Sequence, residues 1–128
     1  MASTHTLGKL QLDIMRILWK QGEASVADVH EELNEERALA PTTVATMLVK
    51  MEKKGVVSHR THGRKYLYSP TVTETEVRRT MVADLTDHLF QGDVTELVGH
   101  LLSEHDATDE EIEEIQRLLE EHGERKSR

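Results

Sequence analysis

The chain has 128 residues, no cysteine and a formal net charge of −8. A chain of this length forms one domain or two very small ones. The lack of cysteine excludes disulfide bonds, thiolate metal sites and cysteine nucleophiles. The first residues do not resemble an export signal, and no apolar run approaches the ~20 residues of a membrane span, so we expect a soluble, cytoplasmic protein with no membrane partner.

The first 55 residues carry three helix patterns, each with a stop or start signal. Apolar residues recur at helical spacing between positions 7 and 18, and Gly22 ends that run. Ser25 followed three positions later by Asp28 resembles a capping box, which predicts the start of a second helix. Pro41 is suited to a first helical position and Gly55 to a carboxyl-terminal stop, so the third helix is expected at about 41–54.

The third helix has two different faces. An apolar face is formed at spacings of three and four residues by Val44, Met47, Leu48 and Met51. The polar side chains are predicted to contact DNA and comprise Thr42, Thr43, Thr46, Lys50, Lys53 and Lys54. Threonine can contact base edges or the thymine methyl group, whereas lysine reaches the phosphate backbone. The alternative is an amphipathic helix whose polar face is only solvated.

A short basic hairpin is predicted directly after this helix. Residues 56–61 and 65–68 are typical of two β-strands, with His62 and Gly63 as the turn. Three helices followed by such a hairpin form the winged helix-turn-helix plan, in which Arg60, Arg64 and Lys65 would lie on the wing near phosphates or the minor groove. Tyr66 and Tyr68 alternate along the second strand and are interpreted as packing residues.

Charge separates the two halves of the chain. Residues 41–68 contain six Lys and Arg but a single acid, Glu52, which gives this segment a net charge of +5. Residues 1–70 have a net charge of +2 and residues 71–128 a net charge of −10. The first half can therefore approach DNA, whereas the second half would be repelled by phosphate and suits protein contacts.

The second half is predicted to form three helices. Thr73, Asp93 and Thr108 are each followed three positions later by Glu, which indicates helix starts, and Gly92 and Gly123 are expected to end two of these helices. Short helices need a surface on which to pack, so we expect these to pack on a second subunit in a homodimer. The predicted dimerisation residues are Val77, Met81, Leu85, Leu89, Leu97, Val98, Leu101, Leu102, Ile112, Ile115 and Leu119.

Four segments together resemble the BlaI/MecI family of bacterial repressors. They are residues 12–19, ending in Trp19, and residues 42–48, 52–55 and 63–70. The resemblance runs over nearly the whole chain. It implies a homodimer whose two winged helix-turn-helix domains bind a palindromic operator with a TACA/TGTA dyad and block transcription. Helix three would be the recognition helix, and the carboxyl-terminal region the dimerisation element.

The resemblance also raises the question of regulation. Well-known members are inactivated by a protease that cuts between an Asn and a Phe, and the equivalent positions here are His100 and Leu101, which do not match. A regulatory protease is therefore an open alternative partner. Sensing of copper through a cysteine cluster, found in another branch of the family, is excluded by the lack of cysteine.

These observations predict a mainly α protein with a small β-hairpin. Residues 1–71 would form the winged helix-turn-helix domain and residues 72–128 a helical dimerisation domain. The eight His lack the repeated spacing of a zinc site, and neither a phosphate-binding loop nor a nucleophile motif is present, so we expect no metal, no cofactor and no enzymatic activity. Two alternatives remain: a winged-helix module that binds a protein, and a repressor with a small-molecule pocket at its dimer interface.

Overall fold

The computed structural model describes residues 7–127. The chain divides into two compact units, Met1–Leu85 and Thr86–Arg128, called here the first and second unit. The first unit contains three helices, α1 (Lys9–Gln21), α2 (Val26–Leu33) and α3 (Pro41–Lys54), and three strands, β1 (Ala24–Ser25), β2 (Val57–His62) and β3 (Lys65–Pro70). The winged-helix order predicted from the sequence is confirmed.

The ends of these helices follow from local chemistry. The Ser25 hydroxyl accepts a hydrogen bond from the Asp28 N–H at 3.1 Å, and the Asp28 carboxylate accepts one from the Ser25 N–H at 3.1 Å. This reciprocal pair is the predicted capping box of α2. Helix α3 begins at Pro41 and is followed by Gly55, whose φ of +88° is in the left-handed region that favours glycine.

The three strands form one antiparallel sheet in the order β1-β3-β2. Strand β1 was not predicted, because its two residues pair with Tyr68 and Leu67, more than 40 positions away, and leave no local pattern. The predicted turn at His62 and Gly63 is wrong by one residue. His62 pairs with Lys65, so the turn consists of Gly63, with φ of +64°, and Arg64.

A single hydrophobic core holds the first unit together. Its buried side chains come from the three helices, the sheet and residues that precede, join or follow them, and are Leu7, Ile14, Met15, Ile17, Leu18, Ala24, Val29, Leu33, Val44, Leu48, Met51, Val56, Val57, Tyr68 and Val77. The Trp19 indole packs against this core and donates a hydrogen bond to the Val72 carbonyl oxygen at 2.9 Å. The core therefore extends past β3 to the residues that follow it.

Helix α4 (Glu74–Leu89) begins in the first unit and ends in the second. Its predicted apolar stripe is divided. Val77 is buried in the core of the first unit and Met81 packs against that core, whereas Leu85 and Leu89 are exposed. Val77 was expected at a subunit interface, but its side chain is already covered within its own chain, and it is corrected here to a core residue.

The second unit contains α5 (Val94–Glu104) and α6 (Asp109–Lys126) after the end of α4. The predicted helix starts are confirmed, because Thr73, Asp93 and Thr108 each accept a hydrogen bond from the N–H three residues on. The expected stop at Gly123 is wrong, since α6 continues through it to Lys126. Within residues 7–127, no helix is both long and apolar enough to span a bilayer.

Candidate nucleic-acid interface

One face of α3 is anchored in the core of the first unit. Val44, Leu48 and Met51 are each 0% exposed. Met47, predicted for the same face, is only partly buried and lies at its edge, where the Gln11 amide nitrogen is 3.4 Å from its sulfur. Because three fully buried side chains hold the helix, the orientation of its opposite face is fixed by packing.

The opposite face presents the polar side chains that the sequence predicts as DNA contacts. Thr42, Thr43, Thr46 and Lys50, together with Met47, line one shallow concavity of about 270 Å³. Lys53 is also exposed, whereas Lys54 is partly buried at the end of the helix. The structure thus brings three hydroxyl groups and one cation together on a single surface. Such a surface can offer hydrogen bonds to base edges and charge to phosphates.

The cations of this face are available for an external anion. Within residues 7–127, Lys50 and Lys53 have neither an ion pair nor a side-chain hydrogen bond. The first turn of α3 contains no acidic residue that would repel phosphate. The partly positive amino end of the helix and the two unpaired lysines further along it each favour contact with a polyanion.

The tip of the wing carries two more such cations. Arg64 in the turn and Lys65 at the start of β3 are exposed, and in the part of the chain that the structure describes neither side chain forms an ion pair or hydrogen bond. With Tyr66 and the amino end of α2 they line an open concavity of about 420 Å³. Both predicted wing residues therefore lie exposed at the tip of the hairpin.

Arg60 differs from the other predicted wing residues. Its guanidinium donates two hydrogen bonds to the Glu23 carboxylate, at 2.7 and 2.8 Å. These hydrogen bonds and the charge of Arg60 lower the pKa of Glu23, and the same contacts raise the pKa of Arg60. The sequence did not reveal this pair, because its members are 37 positions apart. Arg60 therefore has an acidic partner within its own chain, which a phosphate would have to displace.

A second unpredicted contact joins α3 to the wing. The Glu52 carboxylate lies 2.6 Å from Nδ1 of His59 in β2, and the His59 ring is stacked on Tyr66 with the ring centroids 4.3 Å apart. Tyr68 is buried, as expected of a packing residue, and burial raises its pKa. Tyr66 is 52% exposed, so its packing is confined to the surface of the wing.

The other candidate sites occupy the second unit. Among the described residues 7–127, no group of three or more His, Asp or Glu side chains is placed to hold a metal ion. The bond between His100 and Leu101 lies inside α5, and the His100 ring makes an edge contact with Phe90 at 5.9 Å. A protease would need α5 to unfold locally before it could bind this bond as an extended strand.

Comparison with known proteins identifies this arrangement. The sequence model of the penicillinase repressor family matches residues 7–121. The chain belongs to the penicillinase repressor family. Members of this family are DNA-binding transcriptional repressors and not enzymes. The resemblance noted from four segments of the sequence is confirmed.

Individual relatives agree with this assignment. The chain is 29% identical over 116 residues to the penicillinase repressor of Bacillus licheniformis, with 91% of each chain covered. It is 23% identical to the methicillin resistance regulatory protein MecI of Mammaliicoccus sciuri, with 91% of this chain and 94% of that protein covered. Among solved structures, the DNA-binding domain of the repressor BlaI is 29% identical, with a TM-score of 0.52, and covers 59% of this chain and 93% of its own.

Proposed function

We propose that this member of the penicillinase repressor family binds a palindromic operator in double-stranded DNA as a homodimer and thereby blocks transcription. The observation that carries the proposal is the exposed face of α3. Its threonines and Lys50 share one surface, and the buried side chains behind them fix its direction. Because a repressor acts on chromosomal DNA, the proposal also assigns the chain to the cytoplasm.

In this proposal α3 enters the major groove. Thr42, Thr43 and Thr46 contact base edges, and Lys50 and Lys53 contact the flanking phosphates, with Lys54 as a weaker contributor because it is less exposed. Arg64 and Lys65 bring the wing to the backbone. Arg60 contributes less than these two, because its guanidinium is held by Glu23.

Helices α4, α5 and α6 supply the dimer in this proposal. Within the described residues, α5 and α6 contain no buried side chain, and large apolar side chains are exposed on both helices. We propose that a second copy covers Leu85, Leu89, Leu97, Val98, Leu101, Leu102, Ile112, Ile115 and Leu119, with Met81 at the margin of this surface. Two copies joined in this way would present two α3 helices to the two halves of one operator.

The test is the affinity of the full chain for a duplex that carries a TACA/TGTA inverted repeat, and for a scrambled duplex, measured by fluorescence anisotropy at several salt concentrations. Lys50→Ala and Lys53→Ala should weaken binding to both duplexes and reduce the salt slope by about one unit for each phosphate that the variant no longer binds. Thr43→Ala and Thr46→Ala should instead reduce the preference for the repeat, by about 1–3 kcal/mol for each good contact.

Two controls make this test specific. Lys126→Ala removes the same charge from α6, which contributes no residue to the proposed DNA contacts, and should leave the salt slope unchanged. Arg64→Ala should weaken binding more than Arg60→Ala does. Binding by the Lys50 and Lys53 variants that equals the parent would show that α3 is not the recognition helix. A parent chain that binds neither duplex would instead favour a winged-helix module that recognises another protein.

A further inference from the structure

Glu52 is the only acidic residue in the basic segment 41–68, and its side chain faces the wing. It lies on α3 between Lys50 and Lys53, the cations assigned to phosphate contacts. Its Oε1 is 2.6 Å from Nδ1 of His59, and both side chains are about one-third exposed. This contact joins the recognition helix to a strand of the wing.

The His59 ring is held from more than one direction. It stacks on Tyr66 with the two ring planes 24° apart, and the ring of Tyr68 is 5.5 Å away. Both tyrosines lie on β3, and Tyr68 is anchored in the core at 3% exposure. The imidazole is therefore fixed between a carboxylate from α3 and two rings from the central strand of the sheet.

The backbone between α3 and β2 is short. Only Gly55 and Val56 separate the two elements, and the Thr71 hydroxyl donates a hydrogen bond to the Gly55 carbonyl oxygen at 2.6 Å. These contacts fix the base of the wing. The contact between Glu52 and His59 lies further along β2, between the base of the wing and its tip. The tip carries Arg64 and Lys65, and a small rotation of the hairpin about its base would displace these two cations most.

We propose that Glu52 and His59 are positioning residues that set the wing against α3, so that the recognition helix and the wing cations reach the same DNA together. The inference rests on the proposed function. It predicts that the contribution of Arg64 to DNA affinity depends on an intact contact between Glu52 and His59, although neither residue needs to touch DNA.

The experiment measures this dependence with the full chain and the duplex that carries the inverted repeat. Arg64→Ala is introduced into the parent, into His59→Phe and into Glu52→Ala. The His59→Phe variant keeps a ring that can stack on Tyr66 but removes the hydrogen bond to Glu52. The effect of Arg64→Ala is the factor by which it raises the dissociation constant for DNA. This factor should be at least about threefold smaller in both variants than in the parent, as expected for energetically coupled residues.

The controls separate positioning from a general loss of stability. His62→Phe makes the same change on the same strand, and in the described part of the chain the His62 side chain has neither a ring contact nor a hydrogen bond, although it interacts electrostatically with Glu23. It should leave the Arg64 effect at its parental value. Glu52→Gln retains an oxygen that can accept the hydrogen bond and should retain most of the dependence.

An equal Arg64 effect in all backgrounds would overturn the inference while leaving the proposed function intact. Melting curves followed by circular dichroism identify any variant that has lost its fold, and Glu52→Gln then serves as the conservative comparison with Glu52→Ala. A parent chain without preference for the repeat, or Lys50→Ala without effect, would contradict the proposed function itself. The two failures are therefore distinguishable.

Discussion

The two units of this chain contain similar helices that differ in what their apolar side chains contact. In the first unit, apolar stripes from α1, α2, α3 and the start of α4 converge on one core with the sheet. In the second unit, α5 and α6 begin with side-chain caps, which α1 and α3 lack, yet they bury no side chain within the described residues. Caps define where a helix starts, whereas stability requires a surface on which the stripe can pack.

The first prediction has the largest expected effect and compares a side chain buried within one chain with a side chain that we expect a second copy to cover. Leu48 is fully buried, and Leu48→Ala should lower the free energy of unfolding by about 2–5 kcal/mol, because it removes buried methyl groups and leaves a cavity. Leu119 is 64% exposed in its own chain. The effect of Leu119→Ala should therefore appear as a change that depends on protein concentration.

Urea denaturation at two protein concentrations measures both effects. The destabilisation by Leu48→Ala should be the same at each concentration, and Leu48→Met, which conserves volume, should cost less than about 1.5 kcal/mol. A destabilisation by Leu119→Ala that is independent of concentration would show that the second unit is stabilised within its own chain.

The second prediction concerns self-association. Leu101→Glu and Leu119→Glu would each place a charge in the proposed dimer surface and should weaken dimerisation by about 2 kcal/mol or more, as for residues at the centre of an interface. Sedimentation velocity measures the change. Arg117→Gln is the matched control, since it also lowers the net charge by one, and its partner Glu114 forms only an exposed pair. A chain that stays dimeric with either Glu variant would assign dimerisation to another surface.

The third and smallest effect compares one cap from each unit. Ser25→Ala and Thr108→Ala remove hydroxyl groups that accept hydrogen bonds at 3.1 Å from Asp28 N–H and Glu111 N–H. Each should cost about 1 kcal/mol. Ser25→Ala should lower the temperature at which the first unit unfolds. Thr108→Ala should instead raise the dissociation constant of the dimer. If both variants changed the dimer dissociation constant equally, the distinction between a first unit that packs within its own chain and a second unit that packs on another copy would be contradicted.

Local chemistry explains what could be predicted from the sequence. The side chains of Thr73, Asp93 and Thr108 each accept a hydrogen bond from the N–H three positions further along the chain. Because the two groups are so close in sequence, a short pattern is enough to predict where each helix starts. The apolar and polar faces of α3 were likewise predicted correctly, apart from Met47 and Lys54, which are both partly buried. In each of these cases the interacting groups lie within one or two helical turns.

Contacts between distant positions explain what could not be predicted. The pairing of β1 with β3 and the ion pair between Glu23 and Arg60 join residues that no short pattern connects. Val77 fits an exposed helical stripe in sequence, but the fold places it in a core formed by residues before 70. The predicted division of the chain at residue 71 remains a proposal, and for a separately expressed DNA-binding domain we would include Val77.

The fixed ends of α3 also limit how much DNA one copy can read. The polar residues from Thr42 to Lys53 extend over roughly 16 Å at 1.5 Å per residue. Since a helical turn of DNA is about 34 Å long and contains about ten base pairs, the recognition helix of one copy spans about five base pairs. DNA sequences of that length recur by chance throughout a bacterial chromosome. In the proposed homodimer, two such sequences at a defined spacing would together specify one operator, and the distance between them would contribute to the specificity of binding.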